Sequence, residues 1–312
     1  MQLIVLFPGQ GSQKPGMGKD LAAGEPAAQA VFEEADRALG FPLSTLCFEG
    51  PEDVLTSTQN AQPALLAHGA AAWAAVRDVA EPFVRAAAGH SLGEFTAYHA
   101  AGSLSLADAL AVVRTRGELM FTSGTERPGA MAAILGLPEH TVEQVCARAR
   151  AECGDVVPAN YNTPEQLVIS GQVGAVERAM RLAKEAGAKR AIRLNVSGAF
   201  HSPLMAVAVP GLTRALSAVS MRAAAFPVYS NVSTEPVTDP GIARQLLVEQ
   251  LTSPVQWTAL VRRLAADHAG ATFVELGPGT VLSNLVRRIS PGAETLPCGT
   301  AADVAALRQR LS

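Results

Sequence analysis

Hydrophobic residues fall into short unbroken runs that alternate with longer stretches of helical period. Residues 2–7 form an apolar run ending in Pro8-Gly9-Gln10-Gly11, which predicts a buried strand entering a glycine loop. Residues 26–39 and 63–80 carry apolar positions at helical spacing, with Pro63 suited to a first helical turn. A second short run, residues 83–88, leads directly into Gly89-His90-Ser91, and helices are predicted over 92–101 and 105–121. The latter opens with Ser105-x-x-Asp108, a capping-box pattern with Asp in place of Glu. After about residue 124 the pattern predicts a strand at 129–137 and a helix at 139–152. Two strands then fall within 156–172, joined by Thr163-Pro164-Glu165, before a helix at 173–187 and a strand at 188–196. That β-α-β-β-α-β order is ferredoxin-like and predicts a compact lobe over 125–197, inserted into a larger unit made of 1–124 and 198–312. Residues 271–279 predict a buried strand and glycine turn near the end.

The chain has 312 residues, 48% of them hydrophobic but only 5% aromatic. It is long enough for a sizeable core, which alanine, leucine and valine must largely fill. A net charge of −3, with no block of like charges, gives no sign of nucleic-acid or anionic-membrane binding. Cys47, Cys146, Cys153 and Cys298 fit no zinc or Cys-x-x-Cys spacing, so reduced thiols in a cytoplasmic protein are expected and no metal site is. The N-terminus lacks a basic region before its apolar run and reads as a strand, not a signal peptide. The alanine-rich stretch at 63–80 holds His68, Arg77 and Asp78, which suits a core helix better than a membrane span.

Gly89-His90-Ser91-Leu92-Gly93 matches G-x-S-x-G between a predicted strand and a predicted helix. A nucleophilic serine on such a turn sits in strained backbone that bulky neighbours would obstruct, and the backbone N–H of Leu92 at the helix start can bind an oxyanion. A serine hydroxyl needs a base. His90 adjoins Ser91 and should point away from it. His68 and His99 lie within predicted helices, and His140 and His268 lie near polar helix ends, which suits structural or surface roles. His201 stands in the small-residue loop Asn195–Met205, where scaffold-held loops concentrate catalytic groups. No acid lies near it; the next downstream is Glu235. A backbone carbonyl can orient the imidazole instead, leaving a Ser–His dyad suited to exchange between activated thioesters. Arg114 and Arg116 share one predicted helix, and residue type alone does not separate a solvated arginine from a substrate-binding one.

Taken in order, residues 7–18 (FPGQGSQKPGMG), 89–94 (GHSLGE), 112–120 (VVRTRGELM), 159–171 (ANYNTPEQLVISG), 198–205 (GAFHSPLM), 253–258 (SPVQWT) and 275–289 (ELGPGTVLSNLVRRI) resemble the successive motifs of the malonyl-CoA:acyl-carrier-protein transacylase family of bacterial fatty-acid synthesis. The resemblance covers nearly the whole chain, and the order and spacing of the motifs make it specific. It implies an α/β fold, with an α/β-hydrolase-like core on a parallel sheet and the ferredoxin-like lobe beside it. It implies ping-pong malonyl transfer, with Ser91 as nucleophile, His201 as base and the backbone N–H groups of Gln10 and Leu92 as oxyanion hole. Arg116 would grip the malonyl carboxylate, leaving Arg114 solvated. Phe200 would limit acyl size, Gln62 would lie near the acyl pocket, and Asn160 and Asn162 would face the cleft from the inserted lobe. The Gln250 carbonyl would orient His201.

By the same resemblance the partners are malonyl-CoA and an acidic acyl carrier protein. No cofactor is expected, because CoA enters as part of the substrate, and a monomer is expected. Lys189, Arg190 and Arg193, or Arg287 and Arg288, are candidate docking residues. Two alternatives remain open on sequence: a stand-alone malonyl acyltransferase serving a polyketide synthase or malonate decarboxylase, and a serine esterase.

Overall fold

A computed structural model describes residues 1–196 and 198–312; Ser197, the last residue of the expected lobe, lies outside the described residues. The strands are β1 (Leu3–Phe7), β2 (Val84–Gly89), β3 (Gly129–Leu135), β4 (Val156–Thr163), β5 (Gln166–Gln172), β6 (Arg190–Arg193), β7 (Val228–Tyr229), β8 (Pro236–Val237), β9 (Thr272–Glu275) and β10 (Thr295–Pro297). Six of them form one sheet in the order β10-β9-β1-β2-β7-β8. The strands from β10 to β7 are parallel, and β8 runs antiparallel to β7. β1 reads as an unbroken apolar run because both faces of the sheet are covered. Leu3, Val5 and Phe7 enter one core with the alanine-rich helix Thr58–Ala80, while Ile4 and Leu6 enter another with Trp257, Phe273 and Val286.

That alanine-rich helix begins earlier than the sequence pattern suggests. Thr58 opens it and Pro63 lies inside it, not in its first turn. Proline brings no N–H to bond the carbonyl one turn back. The Gln59 carbonyl instead accepts from Arg114 Nη1 at 3.0 Å. Arg114 is therefore not a solvated residue: it also donates to Asn60 Oδ1 at 2.7 Å, pairs with Glu118 and lies over the Phe41 ring. Helix Leu106–Glu126, which carries both Arg114 and Arg116, starts at Ser105, whose hydroxyl accepts from the Asp108 N–H.

The other four strands form an antiparallel sheet in the order β4-β5-β3-β6. Alternation splits its residues. Ala132, Ile134, Leu167 and Ile169 pack against helices Glu139–Cys153 and Val173–Glu185, whereas Met131, Ala133 and Val168 face the other way, into a cleft. β6 is shorter than the predicted 188–196. The free edge of β4 is sewn to the larger sheet's unit: the Val255 N–H donates to the Ala159 carbonyl at 2.8 Å, and the Tyr161 N–H to the Val255 carbonyl at 2.9 Å. This seam aims Asn160 and Asn162 at the carboxyl ends of β1 and β2, where open α/β sheets bind ligands.

Candidate active site

Ser91 stands two residues beyond the end of β2 and adopts φ +52°, a left-handed conformation that a serine holds only when its surroundings enforce it. Glycines on either side make the turn possible. A Cβ on Gly89 would meet the Gly93 carbonyl carbon at 1.9 Å, and one on Gly93 would meet the Phe7 carbonyl oxygen at 2.0 Å. The His90 N–H bonds the same Phe7 carbonyl, which draws the loops after β1 and β2 together. Gln10 in the first loop is fixed by its side-chain bond to Thr58 Oγ1 at 3.1 Å. Leu92 stands at the start of helix Gly93–Ala100.

His201 also has positive φ, +55°. It is held by Ser202, whose hydroxyl donates to the Ala199 carbonyl and accepts from the Leu204 N–H. Its Nδ1 donates to the Gln250 carbonyl at 2.9 Å. That bond leaves Nε2 with its lone pair facing the Ser91 hydroxyl at 2.8 Å. His201 is 4% exposed. Burial, then the charge of Arg116, lowers its pKa to about 3, so it is neutral and able to accept a proton at physiological pH.

Arg116 is buried and reaches the same point from helix Leu106–Glu126. Its Nη1 donates to Gln62 Oε1 at 2.7 Å, and its Nη2 to Gln250 Oε1 at 2.9 Å and to Ser91 Oγ at 3.1 Å. All three acceptors are neutral. Its Nε has no partner among the described residues. Burial lowers its pKa to about 10, opposed by Glu94, so it stays a cation. A buried guanidinium with neutral acceptors and a spare donor suits an anionic ligand.

The residues singled out from sequence therefore converge. Ser91, His201, Arg116, Gln10, Leu92, Phe200, Asn160 and Asn162 all line one cleft of about 390 Å³ between the two sheets' units, within the usual range for small-molecule sites. Gln62 and Gln250 lie just behind its wall and grip Arg116. Met120, Met131, Val168 and Phe200 supply an apolar side.

His90 contributes more than sequence suggested. Its ring points away from Ser91 but lines the cleft, bonding Asn162 Oδ1 at 2.8 Å and packing near Trp257. The sequence reading missed Glu94 and Asn231. Asn231 Oδ1 accepts the Ser91 N–H at 2.7 Å, and its Nδ2 donates to the Gly89 carbonyl at 2.7 Å. Glu94 carried a readable signal: it is the single acid of a mostly buried helix, one turn beyond the serine, and a buried acid needs partners.

Of the basic candidates, Lys189 and Arg288 line one surface hollow with Glu165 and Gln166. Arg190 is exposed beside it. Arg193 pairs with Glu177, and Arg287 turns to Thr295 and Asn284. Among the described residues no three potential metal ligands gather, and no helix is long and apolar enough to cross a membrane.

Residues 4–303 match the model of the acyl transferase domain. The malonyl CoA-acyl carrier protein transacylase of Bacillus subtilis is 46% identical over 297 residues, which span 95% of this chain and 92% of that relative. The crystal structure of an acyl-carrier-protein-S-malonyltransferase from Bartonella henselae superposes with a TM-score of 0.95 at 43% identity, covering 100% of this chain and 99% of the other. A malonyl-transacylase solved in complex with its type II polyketide-synthase acyl carrier protein superposes with a TM-score of 0.93 at 37% identity over 99% of this chain and 100% of the other. With the serine turn, the imidazole and the buried arginine meeting in one cleft, and with likeness of this extent, the chain belongs to the acyl transferase family and, within it, to the malonyl CoA-acyl carrier protein transacylases.

Proposed function

We propose that this chain transfers a malonyl group from malonyl-CoA to the phosphopantetheine thiol of an acyl carrier protein of fatty-acid synthesis. The observation that carries the reading is the meeting of the Arg116 guanidinium, the Ser91 hydroxyl and the His201 imidazole within hydrogen-bonding distance. An esterase has no use for that buried cation beside its nucleophile.

His201 Nε2 takes the Ser91 proton as Oγ attacks the thioester carbonyl. The oxyanion forms against the N–H groups of Leu92 and Gln10; a donor of this kind is worth about 3–4 kcal/mol. The C–S bond breaks, and the CoA sulfur leaves with the proton held on His201. The carrier's thiol then gives its proton to His201, attacks the malonyl-serine ester and returns the serine hydroxyl. Throughout, the malonyl carboxylate pairs with Arg116, and Phe200 closes the pocket to branched acyl groups. Asn160 and Asn162 bind the arm of CoA or carrier along the cleft wall.

The reading invokes no cofactor beyond the CoA of the substrate. Every protein group that it assigns to catalysis belongs to one chain, and it takes the working unit to be a monomer, acting in the cytoplasm. The cleft lies between an α/β-hydrolase-like core, residues 1–124 and 198–312, and a ferredoxin-like lobe, residues 125–197. The strand order β4-β5-β3-β6 with two helices on one face supports the second assignment.

The test is a transfer assay with malonyl-CoA and holo carrier proteins from fatty-acid and polyketide systems. Transfer to the fatty-acid carrier should exceed hydrolysis at least tenfold, and preference for the polyketide carrier would move the enzyme to the other pathway. Hydrolysis alone would leave an esterase. Lys189→Glu with Arg190→Glu should raise KM for the carrier several-fold and leave KM for malonyl-CoA unchanged; an unchanged carrier KM places docking elsewhere.

A further inference from the structure

Glu94 takes no part in the steps above, yet its carboxylate is fully buried behind the reacting groups, bonded to the residues that hold them. Oε2 accepts the Asn231 N–H at 3.1 Å and Gln250 Nε2 at 2.7 Å. Those two residues hold the reacting groups. Asn231 bonds the Ser91 N–H and the Gly89 carbonyl. Gln250 bonds the Ser91 carbonyl through Nε2, Arg116 through Oε1 and His201 through its own carbonyl. An ionised carboxylate can only accept. It therefore compels the Gln250 amide to turn its nitrogen inward and its oxygen toward Arg116. A flipped amide would set two N–H donors against the guanidinium.

Charge adds to geometry. The Arg116 cation is one of the reasons His201 resists protonation, second to burial. Glu94 opposes the lowering of Arg116 and is thus its counter-charge. Arg116, from helix Leu106–Glu126, is the charged group that faces Glu94; Tyr98, one turn along its own helix, is the nearby titratable one. Ser230, Asn231 and Gln250 are neutral.

We infer that Glu94 is a positioning residue for acyl transfer: through Asn231 and Gln250 it holds Ser91, His201 and Arg116 in mutual register, and its charge offsets Arg116 so that the imidazolium formed during attack is tolerated. Among the described residues His201 bonds Ser91 and the Gln250 carbonyl, not an acid, and Glu94 serves it at one residue's remove. This inference rests on the acyl-transfer reading.

It has a consequence in pH. Burial raises the Glu94 carboxyl to about 7, against the pull of Asn231, Gln250 and Arg116, whereas His201 titrates far lower. An acid limb near neutrality in the acylation rate then belongs to Glu94. A malonyl carboxylate on Arg116 brings a second anion into the site and moves that limb upward.

The test is the single-turnover rate of CoA release at saturating malonyl-CoA from pH 5.5 to 8.5. The wild-type rate should fall about tenfold toward pH 5.5. Glu94→Gln keeps an acceptor for both hydrogen bonds but has no charge to lose. It should run about tenfold slower at pH 8 with no acid limb, and its KM for malonyl-CoA should stay within about threefold. A surviving limb near pH 7 in this variant overturns the inference. The wild type alone gives a second test that does not depend on the variant folding: its limb should lie at higher pH with malonyl-CoA than with acetyl-CoA, and coincident limbs overturn the inference. Failure of the acyl-transfer reading looks different, because Ser91→Ala would then release CoA as fast as the wild type.

Discussion

Arg116 Nη2 lies 3.1 Å from Ser91 Oγ, so the cation assigned to the acyl carboxylate also touches the nucleophile. Arg116→Ala should lower kcat/KM for malonyl-CoA about 100- to 1,000-fold, the scale of a lost bidentate charged pair. Acetyl-CoA has no carboxylate to lose and should change by less than about tenfold. Steady-state rates with both thioesters check this; equal losses would remove Arg116 from acyl recognition.

Phe200 is buried on the apolar side of the cleft, next to His201. Phe200→Ala should raise methylmalonyl transfer relative to malonyl about tenfold, within the range that one methyl group commands in a shaped pocket. Competition between the two CoA thioesters measures the ratio. An unchanged ratio would show that another side chain limits acyl size.

Gly93 allows the nucleophile turn to rest on β1. A methyl group there would stand 2.0 Å from the Phe7 carbonyl oxygen, and neither backbone can yield without moving Ser91. Gly93→Ala should destabilise the fold by about 3 kcal/mol or more. Denaturant unfolding is the measurement, and a change below about 1 kcal/mol would contradict the packing described.

Acid should weaken the fold through buried histidines. Burial holds His68 at about 4 and His201 at about 3, against an ordinary value of 6.5. Below pH 6.5 the unfolded chain takes up protons that the folded chain refuses, so stability falls as pH drops from 6.5 toward 4. Glu94, raised to about 7 from 4.5, acts the other way: folded protein keeps a proton that the unfolded chain releases, a contribution lost as pH rises through 7. Two histidines outweigh it at pH 4.5. His68 Nε2 donates to the Gly299 carbonyl at 2.9 Å, and His68→Gln retains a donor. That variant should lose about 2 kcal/mol less than the wild type between pH 7 and 4.5. Parallel losses would place the acid sensitivity elsewhere.

Much of this site was legible because its signals are local. The apolar run of β1, the strand before Ser91 and the glycines at 89 and 93 each report on their own few residues, and the motif order tied His201 and Arg116 to them across the chain. What escaped was non-local. Pro63 reads as a helix start because nothing near it reveals that Arg114, 51 positions on by their numbers, takes the carbonyl that proline leaves free. Glu94 and Asn231 meet only through folding, 137 residues apart. A lone acid in a buried helix announces that a partner exists but not which one.

The most direct measurement is the intact mass of the protein after brief exposure to malonyl-CoA without a carrier. One malonyl group should be found on the chain, mapped by peptide fragmentation to Ser91, absent from Ser91→Ala and discharged when holo carrier protein is added. A chain that passes malonyl to the carrier with no adduct at Ser91, or whose Ser91→Ala variant still does so, contradicts the covalent mechanism.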